Sequence, residues 1–468
     1  MPNPEASTAS PALPPAVWEA VRAAKRVFRQ NNTLTLVSHA DGRVWANKVY
    51  FVEEGGVLYG VIEKPTPGRG HHYQNILQNP KVFFIIDRGV PDLFLQGEGV
   101  VEVLGPVDER PERHLLFRKV PQAVVFAKFF PLLVFRLRPT RLYISDYRVE
   151  WKPRMQVEVT EEVLQAFQGP LRTPIIPSWK VYWQAVRPFS FTVTVFPVLL
   201  GAFLAPTLSW PLLALTLLGA LLVHAGVNVL SDFFDYRRGV DTWTTLGSSR
   251  VLPDRLMTPR AHLLLGVVLL LLAVGVGLAL TALRGVAVLS LALAGLFLGL
   301  FYTAPPLGLK YRALGDLAVF LAFSPLMALG AYYVQAQGVA WPPVILALPL
   351  GFLTVAILHG NNYRDIGDDR QAGFTTVAGL LGPRGSGYYY LALMAAAYGA
   401  VAVAIGVGLL PWWGVVTFLT LPLAWRNVRA AFQPRRVAFT FLDLVTAQVH
   451  MYMGLALAGS VALDRWVL

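Results

Sequence analysis

The sequence predicts a soluble, mainly antiparallel β-barrel domain followed by an all-α membrane bundle of about nine transmembrane helices. Three observations carry this. Only 15% of the 468 residues are charged and 55% are hydrophobic, against about 25% charged in an average soluble domain. The deficit is uneven: residues 1–160 have ordinary soluble composition, whereas from Val186 onward long apolar runs dominate and charges gather in clusters. Within the first part, short β-type runs are separated by turn-forming pairs.

Taken in order, MPNPEASTASPALPPAVWEA has neither a basic stretch nor an apolar run, so it is not expected to act as a signal peptide. Residues 16–30 have helical spacing of apolar positions. TLTLVSHA then leads through Asp41-Gly42 into VWANKVYFVEE, and Gly55-Gly56 turns the chain into VLYGVIE. KVFFIID, LFLQGEGVVEVLG and LVFRLRPTRLYISDY follow, a pattern suited to a closed or nearly closed barrel. Residues 153–180 mix a short helical stretch with Pro153, Pro170, Pro174 and Pro177 and read as a linker. The expected division is therefore a domain at 1–152, a linker at 153–180 and a membrane domain at 181–468.

Nine spans are expected near 188–206, 211–231, 262–283, 285–302, 316–336, 341–359, 387–408, 412–425 and 441–463, most with the roughly 20 apolar residues a bilayer core requires. Basic residues alternate between the connections. Arg237, Arg238, Arg250, Arg255 and Arg260 follow the second span, and Lys310 and Arg312 the fourth. Arg364, Arg370 and Arg384 follow the sixth, and Arg426, Arg429, Arg435 and Arg436 the eighth. Arg284 is the one basic residue in the alternate loops. The positive-inside rule puts the N-terminal domain and the charged loops in the cytoplasm, with the chain in the cytoplasmic membrane. The same rule accounts for the net charge of +12 without nucleic acid. The chain has no cysteine, which excludes disulfides, thiolate metal sites and cysteine nucleophiles.

Two clusters carry chemistry. At the end of the sixth span, Asn361, Asp365 and Asp369 recur every four residues and share a helix face. At the end of the second, Asn228, Asp232 and Asp235 follow the same logic, and Gly239 is placed to end the helix and return Asp241. Carboxylates at membrane helix ends are costly and mark function by default. Carboxylate and amide oxygens on one face suit Mg²⁺ beside phosphate. A single acidic patch beside arginines is as readily a solvated, ion-paired loop, but two such helix ends on one membrane side point to facing metal sites. Asp232, Asp235, Asp241, Asp365 and Asp369 are the candidate metal ligands, with Asn228, Asn361, Asn362 and Arg364 beside them. Asp316 is a candidate proton acceptor or a helix N-cap. Tyr302 and Tyr311 are candidates for a pocket lining or an interfacial belt. His224, His359 and His450 read as packing residues, His359 being the nearest to a motif, and Arg187 as an interfacial anchor.

The membrane half resembles the UbiA-type prenyltransferase superfamily, and within it the menaquinone branch, the 1,4-dihydroxy-2-naphthoate polyprenyltransferases. Arg187-Pro188, Pro197, Gly201, Asp235 through Gly239 to Asp241, Gly247 to Arg250, Tyr302-Thr303-Ala304-Pro305, Leu314-Gly315-Asp316 and above all Asn361-Asn362-x-Arg364-Asp365-x-x-x-Asp369 carry the resemblance, over about residues 180–465. Ser231 departs from it, standing where the first motif often has Asn. The resemblance implies transfer of a polyprenyl group from its diphosphate to an aromatic quinone precursor in menaquinone biosynthesis, a hydroxynaphthoate that loses its carboxylate. Asp235 and Asp365 would bind the diphosphate through Mg²⁺, with Arg250, Lys310 and Arg364 neutralising phosphate charge. Hydroxybenzoate, homogentisate, a porphyrin or a glycerol phosphate are alternative acceptors.

The N-terminal strand pattern resembles the pyridoxamine 5'-phosphate oxidase-like split barrels, many of which bind FMN. The resemblance rests on TLTLVSHADGRVWANKVYFV, HHYQNILQNPKVFFIID, LQGEGVVEVLG and FRLRPTRLYISDY. It would place an FMN phosphate near Lys64, Arg69, His71 and His72, although Pro65–Gly70 departs from the usual pattern. Two other classes remain: a transporter with an acidic cation path, and a flavin reductase or quinone-binding module that the bundle merely anchors.

Overall fold

A computed structural model of the chain describes residues 13–87, 93–120, 122–147, 154–167, 179–242, 247–253, 256–433 and 437–466. It divides into two units, Met1–Ile176 and Pro177–Leu468. The linker prolines Pro153, Pro170, Pro174 and Pro177, and the loop arginines Arg255, Arg435 and Arg436, lie outside the described residues.

The first unit opens with α1 (Pro15–Gln30), followed by β1 (Thr33–Ala40), β2 (Arg43–Glu54) and β3 (Val57–Glu63). Both hairpins turn on the pairs read from the sequence. Asp41 and Gly42 have φ of 47° and 73°, and Gly55 and Gly56 have 61° and 83°. Two consecutive positive φ values define the tight turn whose twist matches paired strands. Next come α2 (His71–Gln78), β4 (Lys81–Ile86), β5 (Leu93–Pro106), α3 (Arg113–Lys119), α4 (Gln122–Phe129), β6 (Leu132–Asp146), β7 (Met155–Glu158) and α5 (Glu161–Phe167). The strand order is β3-β2-β1-β4-β5-β6-β7, and β3 also pairs with β6, which closes six antiparallel strands into a barrel. Strand β1 alternates half-buried and buried positions along its whole length. Its inward residues Leu34 and Leu36 pack with Phe51, Phe84, Phe135 and the α1 face of Ala24, Val27 and Phe28.

Residues 154–167, expected within the linker, belong to this unit. Strand β7 pairs with β6, and Val157, Val163, Ala166 and Phe167 enter the barrel core. Their alternating and helical apolar positions find a partner surface that a proline count does not reveal.

The second unit is helical: α6 (Trp179–Val186), α7 (Thr192–Phe203), α8 (Trp210–Arg237), α9 (Pro259–Arg284), α10 (Val286–Thr303), α11 (Gly315–Leu321), α12 (Met327–Ala336), α13 (Trp341–Arg364), α14 (Ile366–Gln371), α15 (Val377–Gly406), α16 (Leu421–Ala431), α17 (Val437–Thr440) and α18 (Leu442–Trp466). Among the described residues, seven helical stretches are long and apolar enough to cross a membrane, with α11 and α12 joined through a π turn as one of them. An eighth is counted if Trp179–Val186 and Pro188–Phe203, bent by 40°, form one span. The protein is a multi-pass membrane protein. The expected span at 412–425 accounts for the difference. There a 3₁₀ segment, Trp412–Thr420, gives way to α16 with Pro422 in its first turn. A proline starts a helix readily but cannot continue the hydrogen bonds of the one before it, so neither piece is a long apolar helix.

The core of this unit lies where α7, α13, α15 and α18 meet, around Leu350, Leu353, Tyr390 and Met453. Helices α9 and α10 instead present Leu264, Leu271, Leu278, Leu293 and Phe297 outward, as a lipid-facing wall does.

Candidate active site

The first acidic cluster is built by the last turns of α8 and the chain reversal after it. Gly239, at φ 74°, ends the helix, and the Asp241 N–H then donates to the Asp235 carbonyl at 3.3 Å. Asp235 is 2% exposed; its carboxylate accepts from Lys310 Nζ at 2.7 Å and from the Tyr311 hydroxyl at 2.6 Å. Ser231 Oγ donates to the same carboxylate at 3.5 Å. Burial alone would depress the Lys310 pKa, but Asp235 and its neighbours outweigh it and raise the pKa, so the ammonium stays charged. Burial pushes the Asp241 carboxyl up, and the nearby Asp235 and Asp232 push it further. Its Oδ2 is buried without a hydrogen-bond partner.

Asp232 has different partners. Its carboxylate is paired with Arg187 and accepts the Ser249 N–H at 3.0 Å. Asn228 Nδ2 donates to the Val186 carbonyl at 3.1 Å and to Ser190 Oγ at 3.2 Å. These bonds tie α8 to the bend between α6 and α7 and to the loop before α9.

The second cluster straddles the end of α13. The α-helix stops at Asp365, yet the Asp365 N–H reaches the Asn361 carbonyl at 3.2 Å and the Asp369 N–H reaches the Asp365 carbonyl at 2.9 Å. Helical spacing therefore survives the break, and the three residues keep one face. Arg364 lies behind that face. It grips Asp365 with Nε at 2.9 Å and Nη2 at 2.7 Å, bonds Asn361 Oδ1, and reaches the Thr440 carbonyl at 3.1 Å and Asp443 at 3.3 Å. A two-pronged guanidinium of this kind fixes carboxylate orientation as well as charge. Burial pushes Asp369 up to about 7, with Lys310 opposing.

The two clusters meet. A Cβ placed on Gly247, in the loop after the first, would lie 2.3 Å from Asn361 Oδ1 and 3.0 Å from Arg364 Nη2. One cavity of about 370 Å³ is lined by Asn228, Ser231, Asp235 and Asp241 from the first cluster, by Asn361, Asn362, Asp365 and Asp369 from the second, and by Lys310 and Tyr302. From there it continues among apolar side chains of α8, α10 and α12.

Five expected site residues do not line it, among them Tyr311, whose hydroxyl is bonded to Asp235. Asp232 is committed to Arg187, and Arg364 to Asp365 and Asp443. Arg250 is 7% exposed in the loop before α9, and Asp316 is 7% exposed in the first turn of α11 beside Tyr389. Arg187, read from the sequence as an anchor, does line the cavity. So does Asp443, whose isolated position at the start of α18 gave no spacing signal. His224 lines it as a satisfied packing residue, bonded to Thr194 at 2.7 Å and Ser190 at 3.1 Å. His359 instead faces the Ser386 carbonyl at 3.2 Å.

Residues 194–445 match the UbiA prenyltransferase family. The chain belongs to that family. This UbiA-family chain is a transferase of prenyl groups. It is 35% identical over 283 residues to UbiA prenyltransferase domain-containing protein 1 of Mus musculus, covering 58% of this chain and 81% of that relative. Among solved structures it is similar to a UbiA homolog from Archaeoglobus fulgidus bound to GPP and Mg²⁺, with a TM-score of 0.42, 18% identity, and coverage of 60% of this chain and 99% of the other. Its N-terminal barrel is similar to a putative pyridoxamine 5'-phosphate oxidase from Listeria innocua, with a TM-score of 0.21, 18% identity, and coverage of 27% and 97%.

Among the described residues, no group of three or more His, Cys, Asp or Glu side chains stands ready to hold a metal by itself. The donor set still fits Mg²⁺. That ion accepts one or two carboxylates and completes its shell with water and substrate phosphate, and the unpartnered Asp241 oxygen is a buried acceptor beside Asp235. The proposed flavin phosphate site does not assemble in the same way. Lys64 and Arg69 are exposed, Arg69 is paired with Glu63 at 3.4 Å and lies over the Phe130 ring. His72 is buried between Ser38, at 2.8 Å, and Asn47.

Proposed function

We propose that this enzyme transfers a polyprenyl group from its diphosphate to an aromatic quinone precursor, a hydroxynaphthoate. We place it in the cytoplasmic membrane, with both acidic helix ends and the N-terminal barrel on the cytoplasmic side. One observation carries the donor half: carboxylates from two helix ends far apart in sequence line a single cavity that opens into an apolar interior. The naphthoate acceptor is favoured by the resemblance of Asn361 through Asp369 and Tyr302 through Pro305 to that branch. The orientation is favoured by Arg237, Arg238, Lys310, Arg312 and Arg370 beside the acidic ends.

Asp235, Asp241, Asp365 and Asp369 would hold Mg²⁺, with Asn228 and Asn361 beside them. Bound there, the ion would offset the charge that develops on the diphosphate leaving group. Lys310, fixed by Asp235, and Arg187 place permanent positive charge on the same wall. As the allylic C–O bond breaks, the apolar helices hold the tail and keep water from the cation. The cation then bonds to the electron-rich ring carbon, and departure of the ring carboxylate as carbon dioxide returns its electron pair to the aromatic system. Tyr302 and Asn362, both on the cavity wall, are placed to orient an acceptor hydroxyl. Asp232, Arg364 and Asp443 act as positioning residues.

The test is prenyl transfer by purified protein with naphthoate, benzoate, homogentisate, porphyrin and glycerol phosphate acceptors. Asp235→Ala and Asp365→Ala should each lower turnover by about 100-fold or more. Undiminished turnover in both would end the donor assignment, and a preference for another acceptor would end the naphthoate assignment alone.

A further inference from the structure

The geometry points to a measuring device for the prenyl chain: Leu280, Val288 and Val334 form a floor that limits the tail to about four isoprene repeats. This rests on the donor reading above and adds the identity of its length-setting residues. Along α10 the cavity wall runs from Tyr302, at the acidic end, to Val288. At about 1.5 Å per residue, those fourteen steps span roughly 21 Å. An isoprene repeat adds four chain bonds of about 1.5 Å and advances roughly 4–5 Å once their zigzag is projected.

Leu280 from α9, Val288 from α10 and Val334 from α12 line the cavity at that depth, and they pack together as a buried cluster. Polar bonds tie the helix ends behind them. Arg284 donates Nε to the Val334 carbonyl and Nη2 to the Gln335 carbonyl, both at 2.5 Å. Gln335 in turn accepts the Ser209 N–H at 2.8 Å and donates to the Ser209 carbonyl at 3.2 Å. The ends of α8, α9 and α12 are thus held together behind the floor.

The shaft above the floor is kept open by glycine. Gly295 and Gly330 both line the cavity. A Cβ on Gly330 would meet nothing within 4 Å, and one on Gly295 only Leu326 at 3.8 Å. A side chain at either position would take up shaft space without pressing on backbone, so each is a site where length preference can be changed.

The experiment is equilibrium binding of allylic diphosphates of two, three, four, five and eight isoprene repeats to the purified full chain with Mg²⁺, which needs no acceptor. Affinity should rise up to four repeats, as each buries more apolar surface, and fall by about tenfold or more at eight. Gly295→Leu and Gly330→Leu should lower the ratio of four-repeat to two-repeat affinity by about tenfold. Val288→Ala and Leu280→Ala should move the optimum toward five. Eight repeats binding as tightly as four would overturn the floor and mean that the tail leaves sideways into lipid. So would glycine variants that bind the series with wild-type ratios. Asp235→Ala separates the two ideas: binding of every length unchanged in that variant sinks the donor site itself, whereas lost binding with a flat wild-type length series sinks only the floor.

Discussion

Asp369 shows how much of the site's behaviour is decided by one side chain's surroundings. Burial is the largest influence on it and raises its pKa to about 7, Lys310 pulls the other way, and Asp365, Asp368 and Asp235 push it up again. A carboxyl with a raised pKa holds its proton below that value, and a metal must displace the proton in order to bind. The Mg²⁺ concentration giving half-maximal donor binding should therefore rise by up to about tenfold per pH unit as pH falls from 7 to 6, and level off above 8. Asp369→Asn should weaken binding and flatten that slope. A magnesium titration at pH 6, 7 and 8 checks this, and a half-saturation point indifferent to pH in the wild type would refute it. The shared placement of Asn361, Asp365 and Asp369 on the cavity wall was legible from their spacing, because a helical period puts them on one face whatever surrounds them. That of Asp232 was not. Its period matched a ligand's, but its partner Arg187 lies 45 positions away, and spacing carries no information about such pairs.

At the level of elements, the loop after α8 connects the two acidic ends. At Gly247 it lies against the second cluster, where an added methyl would overlap the Asn361 amide oxygen at 2.3 Å. Gly247→Ala should displace Asn361 and, through it, the Arg364 grip on Asp365. Forced misfits of this size cost about 1–3 kcal/mol, so a loss of about tenfold or more in kcat/KM is expected, with the melting temperature within a few degrees of wild type. A wild-type kcat/KM in that variant would show that the loop does not set the second cluster's geometry. Hairpins were the most legible elements, since Asp41-Gly42 and Gly55-Gly56 specify turns by backbone freedom alone. Hydropathy gave no sign that 412–425 would be divided between a 3₁₀ segment and α16, because apolar character says nothing about the break before Pro422. The proline-rich composition of 153–180 likewise hid β7 and the packing of α5, whose apolar residues are assigned a place only against the barrel they cover.

For the whole molecule, membrane orientation is the largest proposal still to be tested, and the absence of cysteine makes the test clean. Single cysteines introduced at exposed Arg312 and at exposed Val339 should react with a membrane-impermeant maleimide from opposite sides. Arg312→Cys should be labelled only in inside-out vesicles and Val339→Cys only in right-side-out ones. The reverse pattern would place the acidic ends outside the cell and remove the cytoplasmic assignment. Reactivity of both from the same side would contradict the odd number of crossings between them, which the stretch Gly315–Ala336 supplies.

The fastening of Arg284 to the last turn of α12 has a consequence for traffic through the enzyme. On the proposed floor, an isoprenoid would be threaded in with its methyl terminus leading, and its prenylated derivative would back out along the same route. Withdrawal then drags the whole hydrocarbon past the carboxylates, so emptying the enzyme should slow as the hydrocarbon lengthens, even when the bond-making step does not.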